Sequence, residues 1–322
     1  MEIKTIDSAE MPLYNKFVEE HGGIFNNSSW QTNVHKEKLV YYGIYDNDSK
    51  LVGVFHLYFS KRIGFTFIKN PPYIPNIGLV YNNRAVNEAN SLSFHKEIIE
   101  IVTEFINKLS FSVLSIALPH TVTDTQPFFW NKYKVVPNYT YQHSLAESEE
   151  EIEKRFSPKL RNAIAKAVKD NVEVKLCNDY KIVMQMIKNT FSRIEKGFDE
   201  NLVQNILFNL ANPQNSFAFA AYIDNKPVAV SFCLYDKNIC YYFLGGYDHE
   251  AMHRGAGVLC IQNSIMHAKK LGNKIFDFEG SMIPEVESYF RSFGPKMITY
   301  FTVNKAKVAF EIVLKFIKRE KF

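Results

Sequence analysis

Residues 217–244 read FAFAAYIDNKPVAVSFCLYDKNICYYFL. An alternating strand meets a turn of Asp224, Asn225 and Lys226, then come a second strand, a charged tight turn and a third strand. Residues 41–68, YYGIYDNDSKLVGVFHLYFSKRIGFTFI, repeat the arrangement. GIYDNDSKLVGVFHLYF, from Gly43, aligns with AAYIDNKPVAVSFCLYD, from Ala220, in pattern and with one gap. One three-strand meander met twice at long separation is an internal repeat.

The flanks repeat as well. EIKTI and AEMPLYNKFVEEHGG read as a short strand and a glycine-ended helix, as do VEVKLC and DYKIVMQMIKNTFSRIEKG in the second half, which adds a helix at ENLVQNILFNLA. After each meander comes an amphipathic helix, NSLSFHKEIIEIVTEFINKL or GVLCIQNSIMHAKKLG, and then an apolar strand, SVLSIALP or KIFDFEG. The spacing predicts an α/β (α+β) protein of two similar domains, each a mixed sheet flanked by helices. The acidic-then-basic stretch EEEIEKRFSPKLRNAIAKAVKDN separates them, with Pro158 opening a linker helix over 158–170. The expected domains are 1–145 and 146–303. NKAKVAFEIVLKFIKREKF, about 304–322, is a further amphipathic helix whose apolar face is expected to pack back on the first domain.

Bulk properties narrow the class. A formal charge of +4 permits a polyanionic partner without demanding one. The cysteines, Cys177, Cys233, Cys240 and Cys260, show no CxxC spacing and read as reduced thiols of a cytoplasmic protein. No signal sequence opens the chain, and no stretch approaches the ~18 apolar residues of a membrane span. Three histidines, His249, His253 and His267, lack the HExxH spacing and a completing carboxylate, so no metal is expected. His120 and Asp124 form an HxxxD spacing that disagrees with the rest of the fold pattern.

Two segments carry chemistry. The loop YDHEAMHRGAGVLC, 247–260, leads from the third strand of the second meander into a helix. Free backbone N–H groups at a helix start, with glycines allowing close approach, favour an anion. This marks Arg254, Gly255, Ala256 and Gly257 as donor-binding candidates. The first half offers only PPYIPNIGLVYNNRAVNEA at the matching place, without paired glycines before its helix. The second segment is FDFEGSMIPEVESYFRSFG, 276–294, where alternation puts Asp277, Glu279 and Ser281 on one strand face. Carboxylates there suit holding an ammonium and taking its proton. The plainer reading is a structural pair bonded to backbone N–H groups, Arg291 or Lys296. Glu279, nearest the strand end, is the expected catalytic group. Tyr241 and Tyr242 are near enough to act as a general acid, though a core role is the simpler reading.

Taken together, the two halves, the linker SPKLRNAIAKAVKDNVEV and DFEGSMIPEVESYFRSFG resemble the FemABX family of peptidoglycan aminoacyltransferases and the related BioF2-like acetyltransferase group, in a compact form without the coiled-coil arm. The resemblance covers essentially the whole chain. It implies tandem GNAT-like domains, the first a degenerate copy on the acceptor side and the second catalytic. It implies transfer of an acyl or aminoacyl group to an amine, with no metal and no tightly bound cofactor. The donor it implies is an acyl-CoA, an acyl carrier protein or an aminoacyl-tRNA, and the acceptor a small amine or a cell-wall precursor. By position, Lys36 after Trp30 and Arg193 in TFSRIEKGF would hold the acceptor phosphate, with Lys38 an alternative to Lys36. Where the family has a catalytic lysine, this chain has Arg291, which stays protonated; it is expected in the catalytic set, holding phosphate or stabilising an oxyanion, but is no base. GNAT loops of the form [QR]-x-x-G-x-[GA] hold a coenzyme A pyrophosphate, and the match here begins at Met252 instead. In such a sheet the strand bearing Asp277 splays from its neighbour, and the N–H groups of Phe243, Leu244 and Gly245 polarise the donor carbonyl.

Overall fold

A computed structural model describes residues 1–35, 38–194, 198–251 and 253–322, without the side chains of 32–35 and 192–194. In chain order the first part runs β1 (Glu2–Thr5), α1 (Met11–His21), α2 (Ser28–His35), β2 (Leu39–Tyr45), β3 (Leu51–Arg62), β4 (Phe65–Lys69), β5 (Val80–Tyr81), α3 (Glu88–Lys108), β6 (Val113–Ala117), α4 (Gln126–Trp130) and β7 (Lys134–Ser144). The rest comprises α5 (Glu149–Lys154), α6 (Pro158–Lys169), β8 (Glu173–Leu176), α7 (Tyr180–Ile194), α8 (Glu200–Asn205), β9 (Ser216–Ile223), β10 (Lys226–Tyr235), β11 (Ile239–Tyr247), α9 (Ala256–Lys270), β12 (Ile275–Asp277), α10 (Pro284–Arg291), β13 (Lys296–Ala306) and α11 (Val308–Ile317).

The chain forms two compact units, Met1–Asn138 with Thr299–Phe322, and Tyr139–Ile298. These bounds differ from the expected break at 145/146. The last strand of each repeat is the reason. Residues 139–144 of β7 belong to the second unit, where β7 pairs antiparallel with β12. From Thr299 onward β13 belongs to the first, where it pairs antiparallel with β6. Periodicity predicts a strand but not which strand pairs with it.

In the first unit, β1, β2, β3 and β4 are successive antiparallel neighbours, and β4 runs parallel to β6. Helix α3 covers this sheet with Ile98, Ile99, Val102 and Ile106, all buried against Phe55, Leu57, Leu114 and Ile116. The Asn87 side chain caps its start by accepting from Asn90 N–H at 2.8 Å. Beyond the last β4–β6 pair, Lys69↔Ser115, segment 70–79 folds into the gap. Asn70 Oδ1 accepts the N–H of Ala117 at 2.9 Å, Ile77 N–H donates to the Ala117 carbonyl at 3.1 Å, and Ile74, Ile77 and Leu79 are buried.

In the second unit β8, β9, β10 and β11 are antiparallel neighbours, and β11 runs parallel to β12. The β9–β10 turn has Asp224 and Asn225 both at positive φ, 47° and 63°, the two-residue hairpin geometry that Asp and Asn tolerate best. The matching turn in the first unit is longer: Asp46 Oδ1 accepts the N–H groups of Asp48 and Lys50, which accounts for the alignment gap. Helix α9 buries Val258, Leu259, Ile261, Ile265 and Met266 under the sheet, worth about 1.5–3 kcal/mol for each large side chain. Two glycines set the helices' distances. A Cβ on Gly246 would lie 2.4 Å from the Met186 carbonyl of α7, and one on Gly255 would lie 2.3 Å from the Ala163 carbonyl of α6.

Candidate active site

Strands β11 and β12 pair through Ile239↔Ile275, Cys240↔Phe276 and Tyr241↔Asp277, and there the pairing stops. Strand β11 continues to Tyr247 along β10, while the other chain turns away. Phe278 N–H bonds the Tyr141 carbonyl of β7 at 2.9 Å, and Glu279 and Gly280 take positive φ of 58° and 62°. Only glycine serves at 280: a Cβ would stand 2.3 Å from the Tyr139 carbonyl. Glu279 has no such excuse, and a left-handed non-glycine costs about 1–2 kcal/mol. Such strain is concentrated at functional sites.

Asp277 holds this turn. It is buried, and its carboxylate accepts from Thr140 Oγ1 at 2.5 Å, Gln142 Nε2 at 2.7 Å and Glu279 N–H at 2.8 Å. The expectation that Asp277, Glu279 and Ser281 share one strand face is therefore corrected. The strand ends at Asp277, because Asp277's own side chain captures the Glu279 N–H that a ladder would have used.

The parting leaves a cavity of about 590 Å³. Phe243, Leu244 and Gly245 of β11 form one wall, Glu279 and Ser281 another, and Arg254 and Gly257 stand at the α9 end. The sheet register slips at Phe243, since Phe232 opposes Leu244 and Cys233 opposes Tyr242, so a β-bulge re-aims the backbone at this wall. Glu279 is half-buried, and its carboxylate has no hydrogen-bond or ion-pair partner among the described residues. Burial, and then the charge of Asp277, push its carboxyl well above the usual range. A carboxylate with raised affinity for a proton is suited to take one from an amine.

At the start of α9 the N–H groups of Gly257 and Val258 have no acceptor among the described residues, while Ala256 N–H bonds the His253 carbonyl at 3.0 Å. A Cβ on Gly257 would meet only Tyr289 Oη, at 3.7 Å, so this backbone is open to the cavity. His253 locks the loop. Its Nδ1 accepts Gly255 N–H at 3.1 Å, which leaves Nε2–H to donate to Asp170 at 3.0 Å. Lys166 shares that carboxylate at 2.8 Å. The exposed Arg254 adds a positive charge beside these donors.

Of the residues singled out in the sequence, Phe243, Leu244, Gly245, Arg254, Gly257, Glu279 and Ser281 line one cavity. Gly255 and Ala256 are buried behind it and shape the helix entry. Arg291 does not line the cavity: its Nε donates to Glu287 at 2.8 Å one helical turn away, and its side chain is 66% exposed. Lys36 and Met252 lie outside the described residues, as does the side chain of Arg193. Sequence reasoning missed Tyr289. It precedes Phe290 in the α10 segment, and its hydroxyl faces the cavity with no partner among the described residues. Tyr242, which the sequence did mark as near enough for a general acid, lines the same cavity: its hydroxyl lies 1.8 Å from where a Gly245 Cβ would be, so Gly245 makes room for the phenol. Burial raises both phenols above their usual range, so both keep their protons at neutral pH. Among the described residues no group of three or more His, Cys, Asp or Glu is placed to hold a metal.

Residues 160–291 match a family model described as an acetyltransferase (GNAT) domain, and these residues contain the cavity walls just described. The whole chain superposes on the crystal structure of FemX, at 13% identity and a TM-score of 0.68, covering 98% of this chain and 100% of that one. The fold is FemABX-like, with a GNAT domain in the second unit. The FemABX-like fold is shared by L-PGS from Bacillus licheniformis (12% identity, TM-score 0.56, 99% of this chain and 98% of that one). It is shared also by the C-terminal domain of a putative lysylphosphatidylglycerol synthetase from Agrobacterium fabrum (10% identity, TM-score 0.55, 96% of each chain). Comparison with curated protein sequences finds no match.

Proposed function

We propose that the second unit catalyses N-acyl transfer, moving an acyl or aminoacyl group from an activated donor to an amine. The observation that carries this reading is the parting of β11 from β12 beside the unpartnered carboxylate of Glu279. The donor carbonyl lies against the bulged backbone of Phe243 to Gly245, whose N–H groups stabilise the developing oxyanion. The amine nitrogen attacks the carbonyl carbon and a C–N bond forms. Glu279 takes the proton that nitrogen loses. The C–S or C–O bond to the leaving group then breaks, and Tyr289 or Tyr242 supplies the proton the leaving atom needs. Asp277 positions Glu279 through its N–H and touches no reacting atom. Arg291 takes no step in this scheme.

The donor's phosphate sits on the Gly257 and Val258 N–H groups beside Arg254. An acyl-CoA meets this description most simply, with an acyl carrier's phosphopantetheine chemically equivalent. An aminoacyl-tRNA donor acting on a cell-wall precursor is the second reading, favoured by the end-to-end FemX fold. Under either, the first unit is the degenerate copy. A cytoplasmic setting fits the four free, buried cysteines. Thermal-shift titration with CoA thioesters and with charged tRNA separates the readings. A rise in Tm with CoA that Gly257→Trp abolishes establishes the first, and a response to charged tRNA alone establishes the second. No response to either leaves a ligand-binding module without turnover.

A further inference from the structure

Helix α11 carries apolar side chains on two sides. Phe310 is docked, meeting the rings of Phe65 and Phe67 edge-on at 4.8 and 6.2 Å. The opposite side faces solvent, with Val308 75% exposed, Ile312 56% and Phe316 87%; Ile317, two turns beyond Phe310 on its own side, is 70% exposed. At about 3.6 residues per turn these positions sweep roughly half the helix circumference. The β3–β4 hairpin against which Phe310 docks adds the half-exposed Phe65 and, at its tip, the 96%-exposed Ile63. Ile63 and Gly64 both have positive φ, 48° and 76°, so a tight hairpin turn presents Ile63 outward on a rigid tip. Large apolar side chains left exposed together on one helix and on the hairpin it packs against mark an interaction site.

Its rim is basic. Residues 307–322 hold five cations, Lys307, Lys315, Lys318, Arg319 and Lys321, against two anions, Glu311 and Glu320. Lys61 and Arg62 add two more at the hairpin. Lys134 Nζ donates to the carbonyls of Arg319 at 2.9 Å and Phe322 at 2.8 Å, which fixes the basic turn at the end of the apolar stripe. A second copy of the chain docking face to face would bring basic rim against basic rim. An anionic surface meets both features at once.

We infer that α11 and the Ile63 hairpin tip seat the first unit on an anionic lipid bilayer, lying in its interface. Phe316, Ile317, Ile312 and Ile63 enter the acyl boundary, and the Lys and Arg rim lies at the headgroups. Among the described residues no helix is long and apolar enough to cross a membrane, so the contact is peripheral. The inference is independent of the acyl-transfer reading.

The test is cosedimentation of the full chain with vesicles of phosphatidylcholine alone or mixed with phosphatidylglycerol. Binding is expected to the anionic vesicles only and to weaken with salt. The double variants Ile312→Glu/Phe316→Glu and Lys318→Glu/Arg319→Glu should each lower the partition coefficient roughly tenfold or more. Val86→Glu, at a fully exposed apolar residue elsewhere in the first unit, should leave it unchanged. Unchanged Tm in all three variants confirms that the fold is intact. Absence of binding to anionic vesicles, or binding that Ile312→Glu/Phe316→Glu does not weaken, overturns the inference. So does a concentration-dependent dimer that Phe316→Glu abolishes, because a second copy then covers the face.

Discussion

Each unit has a parallel strand pair three residues long that then comes apart, and the two gaps are filled differently. In the first unit β4 and β6 separate after Lys69↔Ser115, and the chain itself closes the opening. Asn70 binds the Ala117 N–H and, through Nδ2, the Pro75 carbonyl at 2.6 Å, while Ile77 occupies the space as a wedge. In the second unit β11 and β12 separate after Tyr241↔Asp277, and a cavity with Glu279 on its wall remains. Parted strands leave backbone groups that need partners. The first unit supplies them from its own loop, and the second leaves the space open.

The sharpest way to break the comparison is Glu279→Gln. Turnover should fall about 10²–10³-fold with the fold intact, as removal of a general base does. Wild-type kcat should rise with pH through the raised Glu279 pKa, because only the ionised carboxylate accepts a proton, and the variant's residual rate should lack that limb. A raised carboxyl pKa also means that Glu279 supports the fold below the unfolded carboxylate pKa and loses that support as pH rises through its folded value. The Tm of Glu279→Gln relative to wild type should accordingly increase with pH. Full activity in the variant would make Glu279 part of the wall only.

Gly280→Ala tests the turn that opens the gap. Its positive φ and the Tyr139 carbonyl at 2.3 Å predict a loss of about 2–3 kcal/mol, read as a lower denaturant midpoint, together with lost turnover. Asn70→Ala removes the matching device from the first unit and should cost about 1–2 kcal/mol. Turnover per folded molecule should stay the same; its loss would show that the first unit's wedge serves the chemistry as well. The smallest effect is expected for Tyr289→Phe, about a tenfold drop in kcat with KM unchanged. If Tyr242 is the proton donor, the same drop follows Tyr242→Phe and Tyr289→Phe is neutral.

The duplicated meander was legible because period-two alternation and Asp/Asn turns are local properties, as Asp224–Asn225 shows. So was the glycine-opened α9, where close backbone approach to Ala163 demands glycine at 255. The strand end at Asp277 was not legible. Alternation in FDFEGS continues past it, and only Thr140 and Gln142, far away in sequence, convert that aspartate from a cavity residue into the turn's anchor. The surroundings of Arg291 were not legible for a related reason. Its place in a motif says nothing of Glu287, which holds it one helical turn away on the surface. Tyr289 carried no signal beyond being one aromatic among several in the α10 segment.

The central claim, that the opening between β11 and β12 is where an activated carbonyl meets its nucleophile, is tested most directly by a crystal structure with a non-hydrolysable acyl-CoA analogue. The analogue's carbonyl should lie against Phe243 to Gly245 and its pyrophosphate on the Gly257 and Val258 N–H groups, with Glu279 facing the carbonyl carbon. An analogue bound elsewhere on the chain, with this cavity holding only solvent, would contradict it.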